Sequence, residues 1–255
     1  MVEVVIQPNG WRTPSVGAWT GAAAIAVAVL TVLEFTIRQV TVGARPGLQQ
    51  GEALVRFTAE TSGGTLGVIL TDTFLMAAIM VFLAGYRQIV TQVRPDIQWI
   101  ADLAFSAGVA YVAVTLVGDG MEAGAALDAT TPGGGDAVVI RTLTVGHAML
   151  FGSIGCVLTA LVSAASGYLT LITAALPRWT GVLAMAVAVA NIVAVGTAFG
   201  GTDDTSFHAA GGWGTAALAT FPWLVWVVAV GVVVIRYRRH HLVRAQTAAV
   251  RVVQP

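Results

Sequence analysis

Six long apolar runs constrain the fold of this chain more than any other feature of its sequence. They cover residues 16–40, 65–86, 98–117, 143–169, 179–199 and 215–235. A bilayer core about 30 Å thick takes about 20 residues of α-helix, so each run is long enough to cross it. The runs are apolar nearly all round and do not alternate, which favours helices over a β-barrel. The sequence therefore predicts an all-α polytopic integral membrane protein, in which six transmembrane helices form a single membrane domain over residues 1–255.

The composition excludes most soluble functions. Apolar residues make up 56% of the chain and charged residues only 10%, whereas an ordinary soluble domain carries about 25% charged residues. All 13 basic residues are arginine, so mechanisms that need a lysine amine, such as a Schiff base or a P-loop, are excluded. A single cysteine, Cys156, excludes intrachain disulfides and cysteine-held iron–sulfur clusters. We expect no cofactor and no catalytic residue, which favours a non-enzymatic protein.

The arginines predict the orientation in the membrane. The basic tail, residues 236–255, carries five arginines and no acid: Arg236, Arg238, Arg239, Arg244 and Arg251. With six spans, this tail lies on the same side as Arg87, Arg94 and Arg178, whereas most loop acids lie on the other side. Because cytoplasmic loops are enriched in arginine, both termini are predicted to be cytoplasmic in the cell membrane. The tail is expected to bind the anionic lipid of the bilayer rather than nucleic acid.

The first apolar run is expected to remain in the protein. Val42-Gly43-Ala44 loosely imitates a signal-peptidase site. The run is long for a signal peptide, however, and Glu34 and Arg38 interrupt it before that site. We therefore count it as the first of the six membrane helices.

Polar residues within or beside the spans mark the candidate site. A charged side chain at mid-membrane costs at least ~2.5–3.5 kcal/mol, so each one needs a partner or a function. Counting along each span places these residues in the half that faces the acidic loops. The candidate ligand-binding residues are Glu34, Asp72, Asp119, Glu122, His147 and Asn191. They predict a polar pocket that faces outward.

Several of these residues also have simpler interpretations. Arg38 follows Glu34 at i+4, which is the favoured order for an ion pair on one helix face. Asp72 has no cationic neighbour within one turn, so its partner must come from another helix. Asp119 and Glu122 lie at the predicted end of the third span, before glycine-rich sequence, where we expect a solvated helix end.

The histidines and carboxylates leave two metal chemistries open. A haem held between helices usually needs two axial histidines, and only His147 lies in a span, with His208 as a partner in a loop. Carboxylates are hard oxygen donors that suit a divalent cation. His147 and Asn191 are also explained as packing residues that form hydrogen bonds to neighbouring helices.

A short motif between the fourth and fifth spans carries a family resemblance. Leu176-Pro177-Arg178-Trp179 joins two helices rich in small residues. With it, residues 147–195 resemble a widespread set of bacterial, especially actinobacterial, multi-pass membrane proteins that share a domain of unknown function. The resemblance implies a helical membrane protein from an actinobacterium and assigns no catalytic residues.

Three functions fit these observations. The first is binding or movement of a small solute, a proton or a cation at an outward-facing polar pocket. The second is a non-catalytic membrane subunit or scaffold that packs against a partner, or against a second copy of the chain, through its glycine spacings. The third is a membrane enzyme that acts on lipid or quinone. Only Asp102 lies in the inner half of the spans, which favours binding or scaffolding over full translocation.

Overall fold

A computed structural model describes residues 15–201, 206–209 and 212–236. Within these residues the chain is helical and contains no strand. We number the helices α1 Val16–Val42, α2 Gly51–Glu60, α3 Ser62–Val93, α4 Pro95–Thr130, α5 Ala137–Thr173, α6 Arg178–Phe199 and α7 Trp213–Arg236. All except α2 are long and apolar enough to cross a bilayer. The predicted bundle of six membrane helices is confirmed, and the protein is a multi-pass membrane protein. The basic tail beyond Arg236 lies outside the described residues.

Two elements at one end of the bundle differ from the sequence prediction. Helix α4 continues to Thr130, although its apolar run ends near residue 117. A glycine inside a helix costs only about 1 kcal/mol, so the packing of this segment against α5 can maintain the helix past Gly118 and Gly120. The connector after α1 forms α2, which buries Leu54 against Ile140 of α5. The two differences together build a folded layer over that end of the bundle.

The membrane helices pack in a ring. Helix α1 packs against α3, α3 against α4, α4 against α5, and α5 against α6. Helix α7 closes the ring, because Gly17 of α1 lies against Val234 of α7, with 3.2 Å between the position of an added Cβ and Cγ1 of the valine. The beginning of α1 therefore lies beside the end of α7. We call this end of the bundle the tail end and the opposite end the α2 end.

An aromatic cluster fills the tail half of the bundle. Trp226 of α7 packs edge-to-face on Phe82 and Tyr86 of α3, with ring centroids 5.8 and 5.9 Å apart. The Tyr86 hydroxyl donates to the Ser166 carbonyl at 2.8 Å and contacts the Thr170 hydroxyl at 2.8 Å. These large side chains are almost wholly buried, so this half of the bundle is a packed core.

The outer surface of the bundle suits a lipid environment. Large apolar side chains are exposed on every membrane helix, among them Val29, Phe74, Val117, Val189 and Val225. A soluble monomer rarely exposes continuous apolar surface on this scale. Helix-end tryptophans such as Trp99 and Trp179 are also more than half exposed, as expected for residues at the membrane–water interface.

Three π turns interrupt the membrane helices on the α2 side of the aromatic cluster. They lie at Arg38–Val42 in α1, Leu150–Ile154 in α5 and Ala216–Thr220 in α7. The third directly precedes Pro222, which has no N–H to donate to the carbonyl four residues earlier. Such turns are rare and occur frequently at functional sites, so they direct attention to the space between these three helices.

Replacing Gly85 by alanine should destabilise the bundle. A Cβ at Gly85 of α3 would lie 3.1 Å from Cβ and 3.4 Å from Cα of Thr20, a side chain held by its bond to the Val16 carbonyl. Overpacking of this kind costs about 1–3 kcal/mol, so we expect a Tm several degrees lower in detergent. The matched control is Gly120→Ala, because a Cβ there meets no atom within 4 Å. Equal melting of the two variants would contradict the close approach of α1 and α3.

Candidate functional site

A cavity of about 370 Å³, which we call the vestibule, lies at the α2 end between α1, α3, α4, α5 and α7. Its polar lining includes Glu34, Arg38, Arg45, Asp72, Asp119 and His147. Its aromatic lining is formed by Phe35, Phe151 and Trp213. The side chain of Trp213 is 63% exposed, so it marks the rim where the vestibule reaches the surface. All three π turns contribute lining residues.

Glu122 lies beside the vestibule in a network of arginine and histidine side chains. Its Oε1 accepts a hydrogen bond from Arg45 Nη2 at 3.0 Å. Its Oε2 lies 3.7 Å from Arg38 Nη2 and 3.4 Å from His147 Nε2. Arg38 Nη2 also lies 4.0 Å from Glu34 Oε1, which is the i,i+4 contact that the sequence indicates. The network ties α1, the connector after it, α4 and α5 together.

The expectation of a solvated helix end at Asp119 and Glu122 is wrong. Each residue is only 6% exposed. Helix α4 continues beyond them for two further turns, and α5 and the connector after α1 cover them. Both carboxyl groups are therefore buried inside the bundle, where each needs a compensating partner.

Asp119 and Asp72 bring two carboxyl groups together. Both side chains line the vestibule, Asp72 from α3 and Asp119 from α4. An ionised carboxylate only accepts hydrogen bonds, so two of them in one cavity need a proton or another cation. Asp119 Oδ1 lies 3.9 Å from His147 Nδ1, while Oδ2 is buried and has no hydrogen-bond partner among the described residues. The other helices thus bring a second acid to the cavity that Asp72 lines.

Carboxyl groups outnumber guanidinium groups in and beside the vestibule. The four acids are Glu34, Asp72, Asp119 and Glu122. The two arginines are Arg38 and Arg45, and both contact Glu122. Buried charge of one sign is unfavourable in a low-dielectric interior, so the surplus of acid calls for protons or another cation.

A second cavity, which we call the deep chamber, continues toward the tail end. It measures about 40 Å³ and shares Glu34 and Asp72 with the vestibule. Its remaining polar lining consists of Thr31, Thr159, Thr215, Thr220 and Asn191, together with Cys156, Tyr111 and Trp223. Asn191 is completely buried, and its Oδ1 has no hydrogen-bond partner among the described residues. The sequence prediction placed Asn191 with the other candidates, and in the structure it lines this chamber with Glu34 and Asp72 but does not line the vestibule.

The metal chemistries gain no support from the geometry. His208 is exposed, packs edge-to-face on Phe207 at 5.0 Å and does not line either cavity, so it does not face His147. Within residues 15–201, 206–209 and 212–236, no three His, Cys, Asp or Glu side chains are grouped as a metal site.

Sequence reasoning missed Arg45 and the aromatic lining. Gly43 has a φ of +72°, which few other residues adopt, and the chain turns there before Arg45 contacts Glu122. The pair Gly43 and Pro46 around Arg45 was the available signal for such a turn. Nothing in the sequence distinguishes Phe151 or Trp213 from residues that face lipid.

In comparisons with family models, curated proteins and solved structures, no match to the chain was found.

Proposed function

We propose that the protein binds a small, positively charged solute in the vestibule, from the side of the membrane at the α2 end. The observation that carries this proposal is the surplus of carboxyl over guanidinium groups in a cavity buried within the bundle. Arg38 and Arg45 are occupied by Glu122, which leaves Asp72 and Asp119 to meet a cationic ligand. A cation there would compensate the negative charge of these two carboxyl groups.

The size and the walls of the vestibule fit such a ligand. Ligand pockets measure about 300–1,000 Å³, and the vestibule, at about 370 Å³, lies at the small end of this range. Aromatic faces attract cations, and Phe35, Phe151 and Trp213 supply three of them. The ligand class that matches acid and aromatic walls together is a small amine or quaternary ammonium compound.

The tail half supports binding rather than passage. Phe82, Tyr86 and Trp226 are almost completely buried below the deep chamber. Asp102 is the acid that the sequence places in that half, and it pairs with Arg87 at 2.5 Å near the tail end. Neither cavity that Asp72 lines includes Asp102.

One observation favours a second candidate function, a non-catalytic subunit or scaffold. The side chains of Arg38, Arg45 and His147 surround Glu122 in a network that would hold the α2 end together without any ligand. In that case the polar residues serve stability alone.

Thermal unfolding in mild detergent separates the two functions. We expect tetramethylammonium and ethylammonium chloride to raise the Tm of the protein in a saturable way, and potassium acetate and glycerol to have smaller effects. Asp119→Asn should weaken the response to the organic cations, whereas Asp102→Asn should keep it, because Asp102 lies outside the vestibule. Equal responses to all four compounds would favour the scaffold.

We further propose that the α2 end faces outward and that both termini are cytoplasmic. Gln92 lies at the tail end and Pro132 at the α2 end, and both are exposed. In a background with Cys156→Ala, we expect an impermeant thiol reagent added to intact cells to label Pro132→Cys and not Gln92→Cys. Labelling of Gln92→Cys alone would indicate the opposite topology, with the vestibule on the cytoplasmic side.

A further inference from the structure

We propose that the deep chamber is a second binding site, separate from the solute site, and that it holds a small monovalent cation such as sodium. The chamber offers about 40 Å³, and a water needs about 10–15 Å³ measured in this way. There is thus room for one ion with one or two waters, and not for an organic solute. This inference depends on the chamber's own lining and goes beyond the proposed function.

Two threonine hydroxyls of the chamber, those of Thr31 and Thr159, have already used their protons. Thr31 Oγ1 donates to the Val27 carbonyl at 2.8 Å, and Thr159 Oγ1 donates to the Gly155 carbonyl at 2.9 Å. A hydroxyl has one proton and two lone pairs, so each oxygen can only accept from a chamber occupant. The helix backbone thereby turns two neutral side chains into acceptors.

Asn191 likewise offers an acceptor oxygen. Its Nδ2 donates to the Val187 carbonyl at 2.9 Å, whereas its Oδ1 has no hydrogen-bond partner among the described residues. The side chain is completely buried, so the oxygen has no access to bulk water. An amide oxygen is costly to leave unpaired in such a place, which points to an occupant of the chamber that this oxygen binds.

The acceptors of the chamber outnumber its donors. Two carboxyl groups, those of Glu34 and Asp72, add to the three neutral oxygens. Among the described residues, the lining also offers donors, namely the Trp223 indole N–H, the hydroxyls of Tyr111 and Thr220 and the weakly donating thiol of Cys156, but none of them neutralises the two carboxyl groups. Carboxylate, amide and hydroxyl oxygens are ligands for hard cations. Because most of the oxygen atoms that could coordinate the ion are neutral, a monovalent ion fits the chamber better than a divalent one.

The test is the thermal unfolding of the purified protein in sodium chloride and in potassium chloride at equal ionic strength. We expect a saturable rise of Tm in sodium chloride beyond that in potassium chloride. Thr159→Val keeps the shape of the side chain and removes the acceptor oxygen, so it should reduce the sodium response at least several-fold. Asn191→Leu should do the same. No sodium-specific rise in the wild-type protein would overturn the proposal.

Matched variants keep this test separate from that of the solute site. Asp119 lines the vestibule and not the deep chamber, so Asp119→Asn should retain the sodium response while it weakens binding of tetramethylammonium. Thr159→Val should show the reverse pattern. A sodium response that persists in both Thr159→Val and Asn191→Leu, or that disappears in Asp119→Asn alone, would contradict a separate site. If Asn191→Leu fails to fold, the result for Thr159→Val decides.

Discussion

Asp72→Asn should weaken cation binding in both cavities by about 10- to 100-fold and leave the protein folded and inserted. Asp72 and Glu34 each line both the vestibule and the deep chamber. Hydrogen bonds to a charged group contribute about 1.5–3 kcal/mol, and each 1.4 kcal/mol is a factor of ten in affinity. Asparagine keeps the shape and the hydrogen-bonding capacity of the side chain, so the loss should come from the missing charge. The measurement is the concentration of tetramethylammonium or sodium at which half of the Tm shift is reached.

The control is Asp102→Asn, which removes a carboxylate from the tail end and should leave both responses unchanged. The scaffold function predicts a different result for Asp72→Asn, namely a lower Tm with no change in ligand response. That outcome would identify Asp72 as a structural partner of Asp119 and contradict the proposed binding function.

Arg45→Met should destabilise the α2 end strongly. It removes the 3.0 Å partner of Glu122, whose side chain is only 8% exposed. Removing one partner of a buried ion pair costs about 3–5 kcal/mol, because the other charge is left uncompensated. Arg38 and His147 still lie near Glu122 Oε2, so we expect the lower end of this range. In detergent, this corresponds to a Tm lower by about 6–12 °C.

Two controls test that explanation. Arg94→Met breaks an ion pair with Asp96 in which both side chains are about half exposed, and such pairs contribute about 0–1 kcal/mol. Its Tm should stay close to that of the wild-type protein. The double variant with Arg45→Met and Glu122→Met should recover part of the lost stability, because the buried carboxylate is removed together with its closest partner and Arg38 keeps its contact with Glu34. If both arginine variants melt alike, the network around Glu122 does not stabilise the fold.

The six membrane helices could be predicted because hydropathy alone identifies them. The end of α4 could not be predicted in this way, because Gly118-Asp119-Gly120 lowers the local hydropathy although the helix continues through these residues. Its continuation depends on contacts with α5, which are tertiary. The burial of Asp119 and Glu122 follows from that continuation, and the expectation of a solvated end failed for the same reason.

The sequence predicts how deep the candidate residues lie in the membrane, but not which of them share a cavity. Counting along the spans places Glu34, Asp72 and His147 in one half of the bundle, and the structure gathers them around the vestibule. Helices that are apolar all round give little sign of which face turns inward, so the sequence does not show that Asn191 lines the deep chamber and not the vestibule. The π turns, which shift the faces of α1, α5 and α7, have no sequence signal except the proline that follows the third.

Isothermal titration calorimetry of tetramethylammonium chloride into the purified protein tests the central claim, that surplus buried acid forms a cation site. We predict saturable binding with about one ion per chain, at least tenfold weaker in Asp72→Asn and unchanged in Asp102→Asn. Absence of saturable binding to the folded wild-type protein, or equal affinity in Asp72→Asn, would contradict it.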